Sequence, residues 1–264
     1  MRRASWNRDK MTETPNHWKS KGLQPKALFN VPLVVVLVVA LLVLIHFGLW
    51  LLGDVWQNWA VYALAFIPVR LGGGLIIPRP YGSEVWTFFT YALLHADKYH
   101  LLANDLWLLV FSTPVARRLG TWRYLVLMAI AAAAGATAML ITHWGKSDHV
   151  IGASAAVAGT MAAAIPIMFA RGFGPQLQNE RDYAALPVLN VAQVITSPSA
   201  ILFTVVFFGL QLFTGASQMM TGTAFLEERP IAWEAHLGGF IAGLIMFYLL
   251  DRRRGSITTE SVLN

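Results

Sequence analysis

The chain has 264 residues, of which 56% are hydrophobic and 13% charged, with a net charge of +6 and no cysteine. Ordinary soluble domains carry roughly 25% charge, so a simple water-soluble or disordered chain is excluded. Without cysteine there are no disulfides, thiol nucleophiles or thiolate-bound metals, and any nucleophile must be an oxygen or an amine.

Residues 1–30 are polar and hold seven Lys or Arg. The apolar run that follows, 31–52, is too long for the core of a cleaved signal peptide and is expected to stay as an anchor. Residues 31–52, 124–142, 150–170 and 194–214 each run without one Asp, Glu, Lys or Arg. A bilayer core asks for about 20 apolar residues per helix. Segments 99–116 and 231–250 are nearly as apolar but carry Asp105 and Glu234. The expectation is an all-α polytopic membrane protein: a basic tail (1–30), a six-helix membrane domain (31–250) and a second tail (251–264).

The stretch between the first two crossings, 53–98, mixes short apolar segments with Gly72, Gly73, Gly74, Pro78 and Pro80. A re-entrant or interfacial element fits there, because irregular backbone at membrane depth must be buried in protein or line a cavity. With six crossings, fifteen of the twenty Lys and Arg fall on the side of the termini. The positive-inside rule then puts both ends in the cytoplasm and makes the net charge mainly a topology signal. The basic tail has no stacking pattern or unbroken basic block, so no nucleic-acid partner is expected.

Polar side chains are costly in hydrocarbon and mark candidate sites. Measured from the other end of their helices at 1.5 Å per residue, Ser154 lies about 6 Å down, and Asn104 and His236 lie about 7 to 8 Å down. His100 precedes Asn104 by one turn on the same face. Gly239 and Gly243 follow His236 on one face of its helix, while Ala158 and Ala162 follow Ser154 on the face of its own. Small residues let membrane helices approach closely; if these two faces meet, Ser154 and His236 come within hydrogen-bond reach, and a hydroxyl beside an imidazole is the minimal activated nucleophile. Taken singly, each has a plainer reading: Ser154 as a packing residue, His236 as a bonded structural group, and His100 and Asn104 as bridges between helices.

The flanking sequence resembles the rhomboid family of intramembrane serine proteases. The resemblance covers residues 31–250 through IPVR (67–70), EVWTFFTYALLHADKYHLLAN (84–104), RRLGTWRY (117–124), IGAS (151–154) and AHLGGFIAG (235–243). The family's HxxxxHxxxN corresponds to His95, His100 and Asn104; its GxS to Gly152 and Ser154; its AHxxGxxxG to Ala235, His236, Gly239 and Gly243. The resemblance implies a six-transmembrane-helix bundle with a re-entrant first outer loop, Ser154 as nucleophile and His236 as general base. It makes His100, Asn104 and the Ser154 N–H the oxyanion hole, with His95, Gly152, Gly239 and Gly243 in support. No cofactor or metal is expected. The implied substrates are single-pass transmembrane proteins, entering near the fifth helix and the loop 215–232; the absence of an evident transit peptide favours a bacterial inner membrane over an organelle membrane.

Three positions depart from the family pattern. Ala155 stands where Gly is common, placing a methyl near the oxyanion; Ala158 stands where an aromatic often stacks on the histidine; and Thr87 stands where Arg usually follows Trp. The alternative reading is an inactive rhomboid-like protein that binds membrane clients, against which the intact Ser154, His236, His100 and Asn104 weigh. A metal-dependent hydrolase or transport site on His95, His100 and His236 lacks an HExxH arrangement.

Overall fold

The computed structural model describes residues 31–71, 80–170, 187–221 and 232–252, with side chains described to Leu210 in the third stretch. The tail 1–30, the glycines at 72–74 and the loop 222–231 lie outside the described residues. Among the described residues the secondary structure is helical apart from one isolated bridge pair, Phe66 with Val150.

α1 (Leu33–Leu52) is a run of Leu and Val that ends at Gly53, whose φ of +86° turns the chain sharply. The Gly53 N–H closes the helix on Leu49 and Trp50 carbonyls, and Asp54 opens α2 (Asp54–Leu64) with a carboxylate in its first turn, where the helix dipole favours it. Two short 3-10 turns, Pro68–Arg70 and Tyr91–Leu93, and α3 (Ser83–Thr90) between them complete the described helical structure of this loop. Side chains bind it together: Trp86 Nε1 donates to the Ala63 carbonyl at 2.9 Å, Thr90 Oγ1 to Leu64 at 2.9 Å, and the buried Arg70 guanidinium to Tyr62 at 2.7 Å. The described part of the first loop is therefore built of short helical turns held by part-buried hydrogen bonds.

α4 (Lys98–Trp107) starts at Asp97, whose Oδ1 accepts from the Tyr99 and His100 N–H groups as an N-cap. It passes through a π turn, Leu108–Ser112, into α5 (Thr113–Leu119). Pro114 has no N–H to donate, and Thr113 Oγ1 takes up the Leu109 carbonyl at 2.6 Å. Gly120, at φ +77°, then turns the chain into α6 (Thr121–Thr142). α7 (Ser154–Met168) carries 15 residues, nearly all buried. α8 (Val191–Thr196), opened by an Asn190–Gln193 capping box, leads to α9 (Pro198–Thr221), and α10 (Trp233–Leu250) is the last described helix.

Helices thus occupy all six segments singled out by hydropathy. α1, α6 and α10 are long and apolar enough to cross a bilayer, while α7 and Pro198–Leu210 of α9 are shorter apolar helices. The 98–119 segment is broken by its π turn and carries Lys98 and Asp105.

α10 packs most extensively on α6 and α7, and glycines are the reason. A Cβ on Gly243 would run into the Gly159 backbone, one on Gly239 into the Ala155 carbonyl, and one on Gly238 would come 2.7 Å from the Ala134 carbonyl. Backbones therefore touch directly, which in a membrane supplies the dispersion that hydrophobicity cannot. At one end of the bundle Arg118 of α5 meets Asp251 beyond α10, with Nη2 to Oδ2 at 3.0 Å and both side chains about 1% exposed.

Candidate active site

Ser154 is the first residue of α7 and is delivered by a turn that only glycine can make. Gly152 has φ +122°, a region closed to most residues with a Cβ, and a Cβ there would lie 2.7 Å from His100 Cε1 and 2.8 Å from His100 Nε2. The same point is 3.8 Å from Ser154 Oγ, so the His100 ring and the serine hydroxyl flank the missing side chain.

The turn is held from several sides. Val150 and Phe66 exchange both backbone hydrogen bonds, the Gly152 N–H donates to the Tyr91 carbonyl at 3.0 Å, and the Val69 N–H donates to Lys146 at 2.8 Å. Tyr91 also donates its phenol to the Ala132 carbonyl of α6 at 2.8 Å. One residue thereby ties the turn to α6, a role no spacing in the sequence signalled.

His236, in the first turn of α10, sets Nε2 2.7 Å from Ser154 Oγ. When Nε2 accepts from the hydroxyl, Nδ1 holds the imidazole proton. The pair sits directly above the Gly239–Ala155 contact, so the close helix approach is what sets the distance.

His95 is buried, with Nε2 3.5 Å from the Ala153 N–H and its ring edge-on to His100 at 5.2 Å between centroids. Burial, with the neighbouring His100 and His46, pushes the His95 imidazole down to about 3. It stays neutral and can accept from the turn. Asn104 is buried and donates Nδ2 to the His100 carbonyl, one turn back on its own helix, at 2.8 Å. The structure thus brings Ser154, His236, His100, His95 and Gly152 together, and places the Asn104 amide on the backbone that carries His100.

All three departures acquire physical accounts. Ala155 packs its methyl against Gly135 of α6, among Phe66, Tyr91 and Ala235, so the added carbon is accommodated between helices instead of narrowing the site. Ala158 packs with Phe240, one turn after His236, and aromatic bulk at that level comes from Phe240 stacked on Phe207 and edge-on to Phe208. Thr87 is buried and bonds its own helix at the Ser83 carbonyl, while Trp86 does the anchoring across to α2.

An all-helical bundle with apolar spans and a serine–histidine pair at a helix start defines an integral membrane protein with hydrolase-like side chains. The Rhomboid domain model matches residues 82–253, well over half of the chain, and the protein belongs to the rhomboid family, a family of intramembrane serine proteases. Comparison with curated proteins gives no match.

Proposed function

We propose that the protein is an active intramembrane serine endopeptidase that hydrolyses peptide bonds in or beside transmembrane segments. The observation that carries this is the 2.7 Å contact between Ser154 Oγ and His236 Nε2. Nε2 takes the hydroxyl proton as Oγ attacks the scissile carbonyl carbon, and a tetrahedral oxyanion forms. His100 and the Ser154 N–H supply donors to that oxyanion, with Asn104 holding the His100 backbone and offering its second amide hydrogen. Losing one such donor costs about 2.7–4 kcal/mol of barrier. The imidazolium then protonates the leaving amine, and water activated by the same base releases the acyl-enzyme.

The substrates of this reading are single-pass membrane proteins. A scissile amide inside an intact helix is hydrogen-bonded and shielded, so Gly, Pro or small residues near the cut favour cleavage. Six crossings with both termini in the cytoplasm and residence in a bacterial inner membrane belong to the same reading, supported by the charge asymmetry of the loops.

The test is reconstitution in liposomes with transmembrane reporters and a serine-directed phosphonate. Wild type should cut the reporter and label at Ser154. Ser154→Ala and His236→Ala should each lose cleavage by on the order of 10³ or more and lose the label. A wild type that binds reporters but neither cuts nor labels would establish the inactive client-binding alternative.

A further inference from the structure

Away from Ser154, on the other side of His95, lies a cavity of about 620 Å³ between the last two turns of α1, the start of α2 and the 94–99 segment. Its α1 and α2 walls carry none of the residues placed at the proteolytic site. Leu94, His95 and Ile151 are buried at its floor. His46, Gln57, Asn58, Asp97 and Lys98 give it polar lining, and the exposed side chains of Trp50 and Tyr99 stand at its rim.

Depth and charge narrow the occupant. Residues 45–50 are the final turns of a 20-residue span, so the cavity begins within about 10 Å of the end of that helix, at the boundary between acyl chains and headgroups. Tryptophan and tyrosine at a rim are typical of that boundary. The lining offers one ammonium, Lys98, one carboxylate, Asp97, and two primary amides, Gln57 and Asn58. Burial works to raise the Asp97 carboxyl, but the N–H groups of His100 and Tyr99 outweigh it and hold it below its usual range, so it remains an anion. A site with one charge of each sign matches a zwitterion better than an anion.

We propose that this cavity binds the headgroup of a phosphatidylethanolamine from the surrounding bilayer. Its phosphate meets Lys98, His46 and the amides; its primary ammonium meets the Asp97 carboxylate and the aromatic rim. A quaternary ammonium cannot donate a hydrogen bond to Asp97, and an anionic headgroup leaves Asp97 unmatched.

Native mass spectrometry of the full chain from nanodiscs of phosphatidylethanolamine, phosphatidylcholine or phosphatidylglycerol tests this. The expected result is retention of one phosphatidylethanolamine per chain, preferred over the other two by about tenfold or more, the effect of one charge-assisted hydrogen bond. Asp97→Asn keeps an N-cap residue while removing the charge, and together with Lys98→Gln should abolish the preference with the unfolding temperature held. Equal retention of all three lipids, or an unchanged preference in both variants, would overturn the proposal. So would equally tight binding of soluble glycerophosphoethanolamine, which would make this a small-molecule site. Because the readout is lipid retention, it stands apart from whether the chain cuts reporters.

Discussion

Gly152 carries two demands at once, a positive φ and the absence of a Cβ under the His100 ring. Gly152→Ala should therefore strain the turn by about 1–3 kcal/mol and push His100 off its position. The expected outcome is a fall in kcat larger than the change in KM, measured on the reporter in liposomes. The His95 imidazole, held at about 3, makes a second prediction. The unfolded chain binds a proton near pH 6.5 while the folded chain does not until about pH 3, so stability falls as pH drops through that window. The slope from this group reaches up to about 1.4 kcal/mol per pH unit, and His95→Gln should flatten the pH dependence of the thermal midpoint between pH 6 and 4. At this scale the sequence was informative wherever chemistry needs a residue type. Ser154, His236 and His100 stand out as polar groups in apolar helices and meet as the spacing suggests. The direction of the Asn104 amide and the double tie of Tyr91 were not legible, because a rotamer and a carbonyl contact across 41 residues leave no periodic trace.

Helix packing sets the serine–histidine distance through glycine. Gly243→Ala would drive a methyl into the Gly159 backbone and part α7 from α10. Overpacking of this kind costs about 1–3 kcal/mol, and cleavage should fall with it. Gly48→Ala, with nothing within 4 Å of its Cβ, is the control and should be neutral or slightly stabilising. Thermal unfolding in one detergent compares the two. The stripe on α10 was visible in the sequence as Gly239 and Gly243, but its partners on α7 are Ala155 and Gly159, not the expected Ala158 and Ala162, which pack with Phe240 instead. Element boundaries were less visible. α7 starts at 154 instead of 150 because Val150 is bridged to Phe66 and Gly152 has a non-helical φ. The second hydrophobic segment reads as one helix, yet shifts into a π turn before Pro114, a register change that hydropathy does not register.

Across the molecule the buried pair Arg118–Asp251 joins positions 133 residues apart and clamps the end of α10 opposite His236. Arg118→Ala should remove the guanidinium that faces the buried Asp251 carboxylate and lower stability by about 3–5 kcal/mol, whereas the double change Arg118→Met with Asp251→Leu should recover most of it. Chemical unfolding in mixed micelles distinguishes these outcomes. The overall class was legible from hydropathy alone, since apolar runs of this length have few soluble uses. The number of crossings was harder to read, because length and burial trade off along the chain.

That trade is clearest in α7. Fifteen residues cover about 22 Å, some 8 Å less than the hydrocarbon thickness, yet the helix is walled in by its neighbours and hardly meets lipid. The short helix can therefore begin at Ser154 inside the bundle, where the residue is part-exposed, instead of at the bilayer surface.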